Sequence, residues 1–92
     1  MELSKFKELR RDYGCVPAMR IYLVNVADIA VCQADSHIGE FLMEHTYGKV
    51  ERMKSKELFA FVEATADGIK DAKASIDKVN KRLAVFPIFS NN

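Results

Sequence analysis

The sequence has few cysteines and no pairing motif for them. Only Cys15 and Cys32 occur among its 92 residues. They lie too far apart for a CxxC pair and are too few for the disulfide scaffold of a small secreted protein. We therefore expect both thiols to be reduced, and a cytoplasmic location by default.

The sequence also lacks an excess of charge of one sign. It has 14 basic and 13 acidic side chains, so its formal net charge is +1. Attraction to nucleic acid or to an anionic membrane surface normally needs a clearly basic surface. The composition therefore favours neither class of partner.

Long hydrophobic runs and catalytic signatures are missing as well. The apolar run that starts at Ile21 is interrupted by Asn25 and Asp28 and is too short to span about 30 Å of hydrocarbon. The first residues, MELSKFKELRR, are charged, with no apolar signal-peptide region behind them. No stretch matches a GxSxG elbow, a P-loop or a GxGxxG turn. We predict neither a membrane protein nor an enzyme, and no cofactor.

What the composition does indicate is a small globular domain. The hydrophobic fraction of 49% and the charged fraction of 29% are typical of folded proteins. The length suits one domain over residues 1–92, although a chain this small is only marginally able to bury a core alone. A partner subunit would therefore help it considerably.

An apolar seam runs through the second half of the chain. Its members recur at alternating spacings of four and three, which is the heptad pattern. Ser55 can cap the start of such a helix and Pro87 ends it. The pattern predicts one helix over residues 56–86, about 46 Å long, with Ile76 in its core face. The seam consists of Leu58, Val62, Thr65, Ile69, Ala72, Ile76, Val79, Leu83 and Phe86.

A similar pattern upstream predicts a second long helix over residues 17–46. Pro17 suits the first turn of this helix, and Gly48 suits a left-handed residue beyond its end. The alternative is a buried strand over residues 21–26, which are rich in Ile and Val. The heptad positions are Val24, Ala27, Val31, Ala34, Ile38 and Phe41.

Two shorter segments complete the predicted fold. Residues 4–13 form an amphipathic helix that Gly14 ends, and the polar connection TYGKVERMKS is short enough to make the long helices antiparallel. The fold class is therefore all-α, with a short N-terminal helix followed by a long antiparallel helical hairpin. We expect oligomerisation to pair such hairpins into a helical bundle.

Self-association is expected because apolar side chains project from all sides of part of the second predicted helix. One hairpin partner and a short cap helix cannot cover a belt of such residues. Small residues on the last helix would let another backbone approach closely. We predict a homodimer or a higher homo-oligomer. The predicted self-association residues are Tyr22, Leu23, Val26 and Ile29 in the belt and Ala60, Ala64 and Gly68 on the last helix.

Two further segments are candidates for contact with a partner. The connection between the long helices is basic, and the tail AVFPIFSNN is apolar near the chain end. Basic side chains there could contact phosphates, whereas the tail could bind protein. The predicted partner-binding residues are Lys49, Arg52, Lys54, Lys56, Ile88 and Phe89.

A metal site is the weakest candidate. His37, Glu40 and Glu44 share one helix face, but the Glu-x-x-His order of di-metal bundles is absent. We expect a solvated face and predict no metal ligands. By elimination, the function is that of a small protein-interaction module, such as an adaptor, regulator or inhibitor. The alternatives are a small nucleic-acid-binding regulator and a helical bundle that binds a metal or small ligand.

Overall fold

The computed structural model describes residues 1–85, except the side chains of Tyr47, Ala84 and Val85. Phe86 of the predicted seam and the predicted partner-binding residues Ile88 and Phe89 lie outside these residues. Every regular element in the described part is a helix, which confirms the all-α prediction and excludes a strand over residues 21–26. The helices are α1 (Leu3–Tyr13), α2 (Cys15–Val26), α3 (Val31–Glu44), α4 (Tyr47–Arg52) and α5 (Ser55–Val85).

The junction between α1 and α2 is the single residue Gly14, which the sequence predicts as the end of the first helix, although α2 begins at Cys15 rather than at the predicted Pro17. Gly14 has φ 99°, a backbone conformation that is unfavourable for residues with a Cβ. Its N–H donates a hydrogen bond to the carbonyl oxygen of Arg10 at 2.9 Å. Pro17 then lies in the first turn of α2, where its missing N–H is not needed. This tight joint folds α1 back against α2.

The predicted helix over residues 17–46 is wrong, because the structure divides it into α2 and α3. Asp28 adopts the left-handed conformation, with φ 54°, and so ends the helical path. The Gln33 side chain accepts a hydrogen bond from the Ala30 N–H at 3.1 Å, which stabilises the start of α3. Aspartate tolerates this conformation better than most residues, so no glycine or proline is needed at the break. The first arm of the predicted hairpin is therefore two helices.

The connection before α5 also differs from the prediction. It contains the short helix α4, which begins where the Thr46 hydroxyl accepts a hydrogen bond from the Lys49 N–H at 3.4 Å. Gly48 lies inside this helix rather than at a left-handed position beyond α3. The interpretation of Gly48 as the end of the upstream helix is therefore wrong.

The core lies where α1, α2 and the first half of α5 meet, and α3 and α4 add buried residues to it. Phe6, Tyr22 and Phe59 form an aromatic cluster in which the Phe6–Phe59 and Tyr22–Phe59 ring centroids are each 5.5 Å apart. Leu23, on the same helix as Tyr22, is fully buried. The chain therefore covers both residues itself, and the expectation that they need a second subunit to cover them is wrong.

Helix α3 packs beside α5 and runs antiparallel to it. Near its start, the backbone of Asp28 meets Lys73, whereas near its end the Phe41 ring stacks on Phe61 with centroids 3.8 Å apart. The order of contacts is thus reversed between the two helices. This arrangement leaves a groove between them, which forms part of the site described below.

Helix α5 begins one residue before the predicted start and is helical to Val85, the last described residue, whereas its predicted end at residue 86 lies outside the described residues. Its burial differs from the prediction along its length. Leu58, Val62 and Ala66 in its first half are fully buried. Ile76 in its second half is 60% exposed, so its placement in the core of the single chain is wrong. The radius of gyration is 17.0 Å, against about 12 Å for a compact chain of this length. The molecule is elongated because α5 extends beyond the other helices.

Candidate protein interface

The second half of α5 presents an apolar face to solvent. We name this face the α5 stripe; its residues follow the heptad seam without interruption beyond the core. Among the described residues, those from Lys70 to Leu83 are all exposed. The large side chains Ile76, Val79 and Leu83 are between 56% and 60% exposed. The α5 stripe consists of Ile69, Ala72, Ile76, Val79 and Leu83.

A groove between α3 and α5 continues the α5 stripe toward the core. It has a volume of about 510 Å³, and Ile69 and Ile76 of the stripe line it together with Ile29. Ala64 and Gly68 form part of its α5 wall, and a Cβ added to Gly68 would meet open space. We name it the α3–α5 groove. Its small residues leave room for another helix to approach the α5 backbone.

The far end of the α3–α5 groove is acidic. Glu40 and Glu44 of α3 line a second, smaller cavity of about 180 Å³ together with Phe61 and Thr65 of α5. Both glutamates are exposed. The groove therefore begins at apolar side chains beside the α5 stripe and ends at two carboxylates.

The exposed end of α5 carries the opposite charge. Lys78, Lys81 and Arg82 lie in its last turns and are all exposed. Cations at this end are favoured by the helix dipole, so a structural reason for them exists without any partner. At 100° per residue, Lys78 and Lys81 project from the side of α5 opposite to the α5 stripe, and Arg82 projects from its flank, so these cations do not form part of the apolar face.

The predicted self-association residues separate into two groups in the structure. Tyr22 and Leu23 are buried within the chain and are not available at its surface. Val26 is half-buried and packs against the core, while Ile29 reaches the α3–α5 groove. The three small residues Ala60, Ala64 and Gly68 are exposed along α5.

The predicted basic partner-binding residues lie at the opposite end of the molecule from the α5 stripe. Their neighbour Arg10 of α1 donates hydrogen bonds to the Ser55 hydroxyl at 3.1 Å and to the Glu51 carbonyl oxygen at 2.9 Å. These bonds join the basic part of α1 to the basic connection. The exposed side chains there are Lys49, Arg52, Lys54 and Lys56. The apolar candidates Ile88 and Phe89 lie outside the described residues.

The two cysteines have different surroundings. Cys15 is buried, and its thiol donates a hydrogen bond to a carboxylate oxygen of Glu51 at 3.5 Å. Burial, and then this hydrogen bond, raise the pKa of the Cys15 thiol above its ordinary value, which makes it a poor nucleophile. Cys32 is exposed on α3.

The predicted metal candidates do not form a cluster. His37, Glu40 and Glu44 share one face of α3, but no group of three or more metal-ligating side chains comes together within residues 1–85. Phe61 and Thr65 of α5 instead occupy the opposite side of that cavity. The face resembles an ordinary polar groove wall.

The exposed half of the heptad seam is the feature that the sequence interpretation missed. It treated the seam as one continuous core. The chain turns at Asp28, beside Lys73, and α3 runs from there antiparallel to α5, so α3 can cover only the first half of α5. The signal was present in the basic residues that surround the seam from Lys70 to Arg82.

No helix in the part of the chain described by the structure is both long enough and apolar enough to cross a membrane. Comparison of the chain with protein-family models, with curated proteins and with solved structures finds no match.

Proposed function

We propose that the protein is a small protein-interaction module that binds a helical partner along the α5 stripe. A single observation carries this proposal: Ile76, Val79 and Leu83 expose more than half of their surface on one helix face. Contiguous apolar surface of this kind is typical of interaction sites. An adaptor, a regulator or an inhibitor could all work by occupying such a surface.

The spacing of the stripe favours a helix as the bound element. Alternating separations of three and four residues present side chains that interlock with a second helix, as in coiled coils and helix-in-groove complexes. The α3–α5 groove extends the same face by supplying a second wall. A helix is therefore a better match than an extended strand, which would need an open sheet edge.

Photo-crosslinking inside the native host tests this proposal. A photoreactive amino acid at Val79 should give discrete adducts with protein, and the same residue at Asp12 on α1 provides an exposed control position. We expect adducts from Val79 that the change Ile76→Asp abolishes. Failure of Val79 to form more adducts than Asp12 would contradict the proposal.

A nucleic-acid-binding function is a second candidate, supported by the basic end of the molecule. Arg10 holds the basic part of α1 beside the exposed Lys54 and Lys56. A few phosphate contacts would give weak, strongly salt-dependent binding. Retention on a heparin column that Lys54→Glu and Lys56→Glu reduce would support this function, and elution of the variant and the unchanged protein at the same salt concentration would contradict it.

A further inference from the structure

We infer that the partner of the α5 stripe is an acidic amphipathic helix, whose carboxylates face Lys73 and Arg82 on the two flanks of the stripe. This inference rests on the proposed function, because it states the chemistry of the helix that binds the same face. It adds a charge requirement that an apolar helix alone would not meet.

The first argument is the width of the apolar surface on the two halves of α5. In the first half, the heptad positions that flank the seam carry apolar rings: Phe59 packs on Tyr22, and Phe61 stacks on Phe41. Several helices surround this half. In the second half, the seam is narrow, which suits a contact with one helix. From residue 70 onward, the flanking positions of the described helix are the polar residues Lys73, Ser75, Asn80 and Arg82.

The second argument is the charge of these flanking positions. They include the cations Lys73 and Arg82 and no carboxylate, whereas Asp71 and Asp77 occupy heptad positions further from the stripe. In a contact between two helices, the flanking positions of one helix meet those of the other and determine which partner is accepted. Acidic side chains on the partner are therefore favoured there, and basic ones are disfavoured.

The distribution of charge along the chain acts in the same direction. Residues 70–92 contain five of the 14 basic and two of the 13 acidic side chains, so their formal net charge is +3, whereas that of residues 1–69 is −2. The nearly neutral total thus conceals two regions of opposite sign. A positive segment attracts an acidic partner and disfavours a second copy of itself.

The Arg82 guanidinium is available to such a partner. Arg82 is exposed, and it forms no ion pair within residues 1–85. Its planar group can bind a carboxylate through two parallel hydrogen bonds. The Lys73 ammonium already donates to the carbonyl oxygens of Ala27 and Asp28, which leaves it one N–H. Arg82 is therefore the better residue to change, since a change of Lys73 would also loosen the α2–α3 junction.

An anionic membrane surface is an alternative acidic partner, and the α5 stripe fits it less well. Helices that lie in a membrane interface combine a broad apolar face with Trp, Phe or Leu side chains. Residues 70–83 contain no aromatic side chain, and the polar Ser75 and Asn80 lie directly beside the seam. A narrow seam with polar flanks is the pattern of a helix–helix contact.

A pair of synthetic peptides tests the inference. Both are amphipathic helices of about three heptads with Ile and Leu at the seam positions, and they differ only in carrying Glu or Lys at every flanking position. Repulsion between like charges keeps each peptide from pairing with itself. Titration calorimetry with the full chain at about 0.15 M salt measures both affinities. We expect the acidic peptide to bind at least about 10-fold more tightly than the basic one.

Two charge reversals on α5 locate the effect. Arg82→Glu should weaken binding of the acidic peptide about 5-fold or more and should strengthen binding of the basic peptide. Lys81→Glu is the matched control, because it changes the net charge equally on the side of α5 opposite to the stripe. Its affinities should stay within about 2-fold of those of the unchanged chain. The gain of affinity for the basic peptide guards against effects on folding, since a misfolded variant would not show it.

Three results would overturn the inference. The first is equal binding of the two peptides, including no binding of either. The second is an equal effect of Arg82→Glu and Lys81→Glu. The third is binding to vesicles of phosphatidylserine and phosphatidylcholine that Val79→Asp abolishes, in a chain that does not bind the acidic peptide.

The Val79 adducts in the native host separate failure of this inference from failure of the proposed function. An adduct with an acidic helical segment of another protein supports both. An adduct with a second copy of the chain, or with a protein segment that lacks acidic residues, supports the proposed function and overturns the acidic helix as partner. The absence of any adduct contradicts both.

Discussion

The Lys73 ammonium donates a hydrogen bond to the backbone carbonyl oxygen of Ala27 at 2.8 Å, and another to the adjacent Asp28 carbonyl oxygen at 2.6 Å. These carbonyls lie at the end of α2, where no residue of the helix itself can pair with them. Lys73 therefore joins the break between α2 and α3 to α5, at the point where α5 leaves the body of the molecule.

Removing this ammonium should loosen the junction. We expect Lys73→Met to lower the free energy of unfolding by about 1.5 kcal/mol, the lower end of the range for hydrogen bonds to a charged group, because the site is partly exposed. Amide hydrogen exchange at the end of α2 should become faster. Lys70→Met, at an exposed position one turn away, is the control; an equal effect from both changes would mean that the bonds to Ala27 and Asp28 are not stabilising.

The two halves of the α5 seam should respond differently to truncation of a side chain. Leu58 is fully buried, so Leu58→Ala should cost about 2 to 5 kcal/mol of unfolding free energy. Ile76→Ala should cost less than about 0.5 kcal/mol in dilute protein, since surface substitutions usually have small effects. Denaturant titration at nanomolar concentration measures both. A cost above 2 kcal/mol for Ile76→Ala there would place Ile76 in the core of the single chain.

Glycine is required at the first helix junction but not within α3. Gly14→Ala should lower the free energy of unfolding by about 1 to 2 kcal/mol, because its positive φ strains any residue with a Cβ. Gly39→Ala is the matched control: its helical position has open space around an added Cβ, and alanine there should stabilise by about 0.5 to 1 kcal/mol. Thermal unfolding of the two variants should therefore shift in opposite directions. Stabilisation by Gly14→Ala would contradict the described junction.

Alkaline pH should destabilise the fold through two buried groups. The pKa of the Cys15 thiol is raised mainly by burial and, to a lesser extent, by its hydrogen bond to Glu51. The pKa of the Tyr22 hydroxyl is raised mainly by burial and then by the nearby carboxylates of Glu63 and Asp67. The folded chain therefore keeps these protons to higher pH than the unfolded chain does. The stabilisation is fully present below the ordinary thiol pKa of 9.0 and is lost as the pH rises through the raised values.

Cys15→Ala isolates the thiol contribution to this pH dependence. We expect unfolding free energies measured between about pH 8 and pH 10.5 to fall less steeply in this variant than in the unchanged protein. Cys32→Ala is the control, because Cys32 is exposed. Identical slopes for Cys15→Ala and the unchanged chain would show that burial does not hold the thiol proton.

The helical class, the bounds of α1 and the start of α5 could be predicted because their signals are local. Gly14 and the heptad seam from Leu58 onward specify where these helices begin, end and face. The break at Asp28 could not be predicted from the pattern, since the seam continues through it and aspartate adopts both helical and left-handed conformations. Hydrogen bonds from the distant Lys73 help to fix that conformation.

The candidate interface could be predicted only in part, for a related reason. Periodicity shows which side of a helix is apolar, but not which neighbour covers it. The exposure of Ala64 and Gly68 fits the expected small-residue face, whereas the burial of Tyr22 depends on its distant contacts with Phe6 and Phe59. Such contacts are a property of the folded chain rather than of the local sequence.

Amide hydrogen exchange of residues 70–83, in the dilute chain alone and with a helical partner bound, tests the central claim most directly. The account predicts fast exchange in dilute protein, because the described chain does not cover this part of α5, and slower exchange where a helical partner covers the α5 stripe. A core segment such as residues 58–66 should be slow throughout. Slow exchange of residues 70–83 at every dilution would contradict the account, and its loss on deletion of residues 87–92 would identify the chain's own tail as the occupant.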